Sequence, residues 1–346
     1  MEALKTEIVA REDYLHGETV NTIYFGGGTP SLLTIEEIGK LLHLINETYP
    51  VGNDPEITLE ANPDTLSLDY LKGVRQLGIN RLSIGIQSFF DNDLKYLSRR
   101  HDSLHARQSI EWAKQAGFSN ISIDLIYGLP TSDAEQWNRN LDFFFEMGLP
   151  HLSAYALTLE PNAILTKQIE LGKVPPINEE DALCDYEILC RRAAENGYLH
   201  YEISNFCRRG MHSKHNANYW FGTLYAGFGP SAHSYDGISR QWNKASIEKY
   251  CTRVPEPVEG SALEKEYLSP EQHYDEYIML RLRTHWGIDL KYMKREMGEQ
   301  FSTYCEQHAQ LLIAQGRLSQ TREFLYLNDQ QMLFADGIAE DLFWEE

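Results

Sequence analysis

The residues best suited to hold a polar ligand stand at the ends of short apolar runs. Gly26-Gly27-Gly28-Thr29-Pro30 follows Val20 to Phe25. Glycines there permit close backbone approach, and free amides can meet an anion, although such a turn is as readily plain turn chemistry. Glu60 ends the run from Ile57 and precedes Asn62-Pro63. Its carboxylate could accept hydrogen bonds from ribose hydroxyls or an ammonium, or be a solvated loop acid. Gln87 closes Arg81 to Ile86, and Arg99 beyond it is a candidate for bidentate carboxylate binding; either alone reads more readily as an ordinary surface residue. Asp124 is the sharpest of the set, standing inside Ile123-Asp124-Leu125-Ile126-Tyr127-Gly128-Leu129-Pro130. An acid inside an apolar strand must be paired or hydrogen-bonded, because burying it otherwise costs several kcal/mol; a structural salt bridge is the alternative.

The elements that carry these residues repeat one phrase from Val20 to Leu157: a β-branched run, a turn rich in Gly, Pro or Asn, then a helical pattern. Strands are expected over Val20–Phe25, Glu56–Ala61, Arg81–Gln87, Asn120–Tyr127 and His151–Leu157. Helices open at Thr34 with Glu37, a capping box before Ile35–Ile45, and at Ser67 before Leu68–Leu77. Such alternation gives right-handed βαβ units and an α/β fold with a parallel sheet, closed or nearly closed as a barrel. The polar residues then gather at the carboxyl ends of its strands, where the loops converge. Met1–Tyr14 reads as an amphipathic helix with Leu4, Ile8 and Val9 on one side, so the barrel is expected to lack its first strand.

Beyond Leu157, helices around Glu179–Asn196 lead into a segment from Tyr198 to Asn243 rich in Gly, Tyr, His and Asn, which reads as a site more than a scaffold. Val254–Gly260 reads as a linker. After it come helical patterns at Gln272–Arg283, Asp289–Met297 and Gln300–Gln315, then a strand pair around Leu318–Leu327, the order of a winged-helix-like α+β domain. The expected divisions are 1–160 for the barrel, 161–253 for the site-bearing segment, 254–269 for the linker and 270–346 for the C-terminal domain.

Lys and Arg total 31 against 51 Asp and Glu, a formal charge of -20. A field of that sign repels phosphate backbones, so no nucleic acid partner is expected, and an anionic ligand needs a local basic patch. No run is apolar enough to span a membrane and the N-terminus lacks a signal peptide's apolar core, so a cytoplasmic protein is expected. Cys184, Cys190, Cys207, Cys251 and Cys305 are odd in number and scattered, which argues against a disulfide framework. Cys207, His212 and His215 also invite a zinc reading, but they lack a convincing fourth ligand.

Gly26 to Pro30, Glu60, Gln87, Arg99 and Asp124, in this order and spacing, resemble the SAM-binding set of radical S-adenosylmethionine (SAM) enzymes related to oxygen-independent coproporphyrinogen III dehydrogenase. The phrases YFGGGTPS, SIGIQSF and IDLIYGLP carry the likeness over Val20 to about Thr158. The resemblance implies a partial (β/α)6 barrel in which Gly27, Gly28 and Thr29 meet the amino end of SAM. Glu60 and Gln87 then serve its polar groups, Arg99 its carboxylate and Asp124 the nucleoside side. Family members also carry a Cys-x-x-x-Cys-x-x-Cys loop holding a [4Fe-4S] cluster. Nothing here matches it, so the sequence is expected to be an N-terminal truncation or to have a misplaced start codon, and SAM cleavage by the chain as given is not expected.

His215-Asn216, two residues, then Tyr219-Trp220 resembles the His-Asn-x-x-Tyr-Trp motif of the family's haem-chaperone branch. Neutral imidazole is a good axial ligand to iron, and Tyr and Trp offer flat faces for the macrocycle. Arg208, Arg209, Lys214 and Arg240 are near in sequence and could receive propionates; His233 is an alternative ligand, although it reads more readily as a hydrogen-bonded loop histidine. The resemblance implies a haem carrier that hands its cargo to haem-accepting apo-proteins, with a porphyrinogen dehydrogenase as the alternative. As residues alone, His215 and its aromatics are more often a packed loop than a haem site; the resemblance reverses that.

Overall fold

The computed structural model describes residues 1–159, 161, 163–253 and 263–345. Helix α1 (Glu2–Ala10) opens the chain, followed by β1 (Val20–Phe25), α2 (Ile35–Thr48), β2 (Val51–Ala61), α3 (Leu68–Gln76), β3 (Arg81–Gln87), α4 (Asp91–Tyr96), α5 (Ser103–Gln115), β4 (Asn120–Tyr127), α6 (Ala134–Glu146) and β5 (His151–Ala156). These strands stand side by side in sequence order, with β2 to β5 parallel. This is the α/β partial barrel expected from the alternating phrases.

The helices start where the sequence supplies an acceptor for their orphan amides. Ser67 Oγ takes the Tyr70 amide, Asp102 that of His105, and Asp133 that of Gln136. Helix α6 then turns Trp137, Asn140, Leu141 and Phe144 inward. Completely burying a side chain such as Phe144 is worth roughly 1.5–3 kcal/mol.

After α7 (Ile164–Glu170) and α8 (Glu179–Glu195), the stretch beyond Tyr198 is more regular than its composition suggested. Strands β6 (Leu199–Glu202) and β7 (Asn205–Cys207) form a hairpin whose second strand pairs antiparallel with β5, giving the sheet order β1-β2-β3-β4-β5-β7-β6. Their runs are too short for a pattern of period two to show, so tertiary pairing decides their state.

Helix α9 (Lys214–Trp220) follows, then β8 (His233–Tyr235), β9 (Ser239–Asn243), α10 (Ile247–Arg253) and β10 (Leu263–Tyr267). The three strands make a small antiparallel sheet in the order β10-β9-β8. The expected linker, Val254–Gly260, lies outside the described residues. The C-terminal part runs α11 (Pro270–Leu282), β11 (Ile288–Asp289), α12 (Leu290–Glu296), α13 (Glu299–Ala314), β12 (Ser319–Gln320) and β13 (Phe324–Tyr326), with sheet order β11-β13-β12. That is the order of a winged helix, closed over Tyr274, Ile278, Met293, Phe301, Leu312 and Leu325.

Two compact units result. One comprises Met1–Thr22, Glu36–Pro55 and Ser213–Glu346; the other comprises Ile23–Ile35 and Glu56–His212. In the first unit the expected inner face of α1 needs correcting: Val9 is 49% exposed, while Glu7 is buried beside Ile8. Glu7 can lie inside because its carboxylate accepts from the Gly229 amide at 2.9 Å, Asn243 Nδ2 at 2.7 Å and the Tyr250 hydroxyl at 2.6 Å, and pairs with Arg11 at 3.3 Å. Among the described residues no helix is long and apolar enough to cross a membrane.

Candidate functional site

In the second unit the ends of β1 to β4 carry the expected ligand-holding residues in separate short hydrogen-bonded groups, Glu60 with Gly27, Thr29 with Arg99 through Asn62, and Asp124 with its serines. Glu60, at the end of β2, accepts from the Tyr24 hydroxyl at 2.6 Å and from the Gly27 amide at 3.1 Å. Burial, then the neighbouring Glu60 carboxylate, pushes the Tyr24 hydroxyl pKa far up, so it stays a donor. Gly26 must lack a side chain, because a Cβ there would lie 2.6 Å from the Tyr24 ring. Gly27 and Gly28 sit at φ of 74° and 61°, and a Cβ on either would meet nothing within 4 Å. The loop is therefore a left-handed cradle with open space above it.

Thr29 Oγ1 accepts from Asn62 at 3.3 Å, and Asn62 in turn accepts from Arg99 Nη2 at 3.2 Å. The same Arg99 nitrogen donates to the Gly85 carbonyl at 3.1 Å. A side chain at Gly85 would come within 2.8 Å of Gln87 and 2.9 Å of Arg99, so glycine lets both crowd onto β3. Gln87 itself adopts φ 68°, an uncommon conformation for a residue with a Cβ, next to a register shift between β3 and β4.

Arg99 Nε is buried without a hydrogen-bond partner. An orphaned guanidinium donor suits a bidentate carboxylate. A cavity of about 700 Å3 opens beside it, lined among others by Thr29, Asn62, Tyr70 and Arg99, and takes in two residues of the expected set.

Asp124 accepts from Ser83 Oγ at 3.3 Å and is also hydrogen-bonded by Ser153, its register partner on β5. Crowding by protein atoms raises its pKa to about 6 despite those two donors. No direct bond joins Asp124 to Glu60, Gln87 or Arg99 among the described residues. Its expected alternative, a structural salt bridge, is replaced by the two serines. Tyr24, Ser83 and Ser153 escaped sequence reading, although polar residues at matched registers of apolar strands were a usable signal.

The first unit holds the second set. Helix α9 starts at Ser213, whose hydroxyl accepts the Asn216 amide. At about 100° per residue, His215 and Tyr219 share one face of α9, while Asn216 and Trp220 lie on the next. His215 Nδ1 is 2.9 Å from Thr22 Oγ1, and Nε2 is 3.1 Å from the Tyr219 hydroxyl. The two rings meet edge to face at 5.2 Å, and Tyr219 is 40% exposed. Desolvation lowers the His215 pKa to about 4, so the ring is neutral at physiological pH.

Of the expected basic residues, Lys214 and Arg209 are exposed, Arg208 sits 5.2 Å over the Tyr198 ring, and Arg240 is paired with Glu276 at 2.8 Å. Arg240 thus lacks the free charge expected of it. His233 stacks on Trp242. Cys207 is a buried β7 residue whose thiol burial pushes up to about 11, which corrects the zinc reading to a packed thiol.

Residues 2–144 match the Radical SAM superfamily, and residues 268–334 match the HemN C-terminal domain. The chain is similar to the haem chaperone HemW of Bacillus subtilis, 31% identical over 98% of this chain and 89% of that protein. The chain belongs to the HemW family of radical SAM proteins. HemW of Escherichia coli is 38% identical over 64% of this chain and 57% of its own length. In fold, the chain resembles coproporphyrinogen III oxidase (HemN) of E. coli, a radical SAM enzyme, with a TM-score of 0.84 at 24% identity over 99% of this chain and 82% of that one.

Membership of the HemW family implies SAM and a [4Fe-4S] cluster, and the two fare differently here. The open Gly27-Gly28 cradle and the orphaned Arg99 Nε fit SAM. The cysteines do not fit a cluster: Cys207 and Cys305 are buried, Cys190 is partly buried, and Cys184 and Cys251 are exposed. Among the described residues no three His, Cys, Asp or Glu side chains gather to hold a metal ion.

Proposed function

We propose that this chain carries haem, with His215 Nε2 as the axial ligand to iron, and passes it to haem-accepting apo-proteins. One observation carries this: a histidine of the family's His-Asn-x-x-Tyr-Trp motif is held neutral, its Nε2 beside a partly exposed tyrosine. Iron needs a lone pair on imidazole, and a ring that resists protonation keeps one available. Tyr219 offers an aromatic edge to the macrocycle, and exposed Lys214 next to the ligand can receive a propionate. Asn216 and Trp220, on the adjacent face of α9, border the site.

The second unit binds SAM in this proposal. Gly27, Gly28 and Thr29 receive its amino end, Arg99 pairs with its carboxylate, Glu60 and Gln87 take its polar groups, and Asp124 accepts from the ribose. SAM supplies radical chemistry once an electron reaches it. The residues described here bind and orient it.

The test is a haem titration of the purified chain under reducing, anaerobic conditions, following the Soret band and comparing His215→Ala. Saturable one-to-one binding that weakens at least about tenfold in the variant is expected. Equal binding by both proteins, or none by either, removes His215 as the ligand.

A further inference from the structure

Resting on the haem reading above, we infer that Thr22 is a positioning residue for His215, selecting the ring tautomer that leaves Nε2 free to ligate iron, and that the Tyr219 hydroxyl caps that nitrogen until iron displaces it. The geometry is a three-residue relay within the first unit: Thr22 Oγ1, 2.9 Å, His215 Nδ1; His215 Nε2, 3.1 Å, Tyr219 Oη. A neutral imidazole carries one proton, so the proton can run along these three residues in either of two directions. In the first, Nδ1–H donates to Thr22 Oγ1, and the Tyr219 hydroxyl donates to the Nε2 lone pair. In the second, Thr22 donates to Nδ1, and Nε2–H donates to the Tyr219 oxygen.

Only the first arrangement presents a lone pair where the tyrosine edge is partly exposed. The choice between them falls on the two hydroxyls, because each can donate or accept. A phenol is the stronger acid and therefore the better donor of the two; it favours giving its proton to Nε2, leaving Thr22 to accept from Nδ1. Thr22 is fixed by its strand, β1, so the acceptor does not move with α9. Outer partners of this kind commonly fix tautomer and ring orientation at metal-ligating histidines. Iron entering the site exchanges one weak bond, Tyr219 hydroxyl to Nε2, for coordination, with the Nδ1 bond unbroken.

The full chain labelled with 15N-histidine reports the tautomer without haem, the His215 signals being those missing from His215→Ala. Wild type is expected to show a protonated Nδ1 and a bare Nε2. Thr22→Val, which keeps the shape and removes the acceptor, should shift the ring toward Nε2–H and raise the haem dissociation constant about tenfold. Thr22→Ser should restore both. Tyr219→Phe, which removes the donor to Nε2, should weaken the preference for the Nδ1–H tautomer and speed haem association several-fold, since the cap is gone. A wild-type ring protonated at Nε2, or a Thr22→Val ring unchanged in tautomer, overturns the Thr22 assignment. A wild-type chain that binds no haem instead overturns the haem reading, and the ring's tautomer distinguishes the two failures.

Discussion

The Tyr24 hydroxyl on β1 lies 2.6 Å from Glu60 on β2, and the Gly27 amide holds the second oxygen of the same carboxylate. Glu60 is therefore aimed by its neighbours before any ligand arrives. Tyr24→Phe removes one of the two donors and lets the carboxylate turn. SAM affinity measured by calorimetry should fall roughly three- to tenfold, the equivalent of about 1 kcal/mol. Unchanged affinity would mean that the Gly27 amide alone sets the orientation.

Gly85→Ala tests the crowding on β3. Its backbone conformation suits alanine, but the new methyl would stand 2.8 Å from Gln87 and 2.9 Å from Arg99, which must move apart. Overpacking of this kind costs about 1–3 kcal/mol, and, if Gln87 and Arg99 meet SAM as proposed, displacing them should cost SAM affinity tenfold or more. The two effects separate in a thermal melt run with and without SAM: the variant should lose more of the SAM-induced shift than of its own Tm.

The sheet from β1 to β5 was legible because its strands are short apolar runs, β-branched in β1 to β4, alternating with helical patterns, and the C-terminal domain because its helices keep a 3.6-residue period. The hairpin of β6 and β7 was not, since four- and three-residue strands carry too little pattern and exist through pairing with β5. Glu7 went unseen for a related reason. Its partners Gly229, Asn243 and Tyr250 lie more than two hundred positions away, and only the folded chain brings them to α1. At the site, Glu60, Arg99 and Asp124 could be picked from type and position, whereas their positioning partners Tyr24, Asn62 and Ser153 are ordinary residues until register places them.

Asp124 gives a pH signature. Its folded pKa, about 6, lies above the ordinary 3.8, so the native state holds a proton that the unfolded chain has released. The resulting stabilisation is complete below about pH 4 and is lost as pH rises through 6. Asp124→Asn should match wild type at pH 4 and exceed it at pH 7 by on the order of 1–3 kcal/mol in denaturant unfolding. The same variant should bind SAM less tightly at pH 7, since an amide replaces a charged acceptor. No gain in stability at pH 7 would show that Ser83 and Ser153 already compensate the charge.

His215 titrates in the opposite sense. A folded pKa of about 4, below the usual 6.5, means the native state binds fewer protons than the unfolded one, and stability falls as pH drops from about 6.5 through 4. Down to pH 5.5 the ring stays neutral, so haem binding should be as tight there as at pH 7.5. A loss of affinity centred near 6.5, seen in the Soret titration, would place the ligating histidine elsewhere.

Glu7 is the strongest test of how the first unit is held together. Its carboxylate ties α1 to the Gly229 turn, to β9 through Asn243 and to α10 through Tyr250, while Arg11, its ion-pair partner, donates to the Gly227 carbonyl and to Ser234, each at 2.8 Å. Glu7→Ala leaves the largely covered Arg11 guanidinium without its counter-charge and takes the acceptor from the Gly229 amide and the Tyr250 hydroxyl, while Asn243 Nδ2 keeps the Gly229 carbonyl at 2.9 Å; removing one partner of a buried pair costs up to about 3–5 kcal/mol. Glu7→Gln keeps the shape and two acceptor lone pairs but not the charge, and should cost less. Hydrogen exchange localises the effect: the amides of Gly229 and Asn243 should lose protection in Glu7→Ala, while those of β3 and β4, in the other unit, keep it. Equal loss across both units would mean that they unfold together, and Glu7 would then bear on the stability of the whole chain.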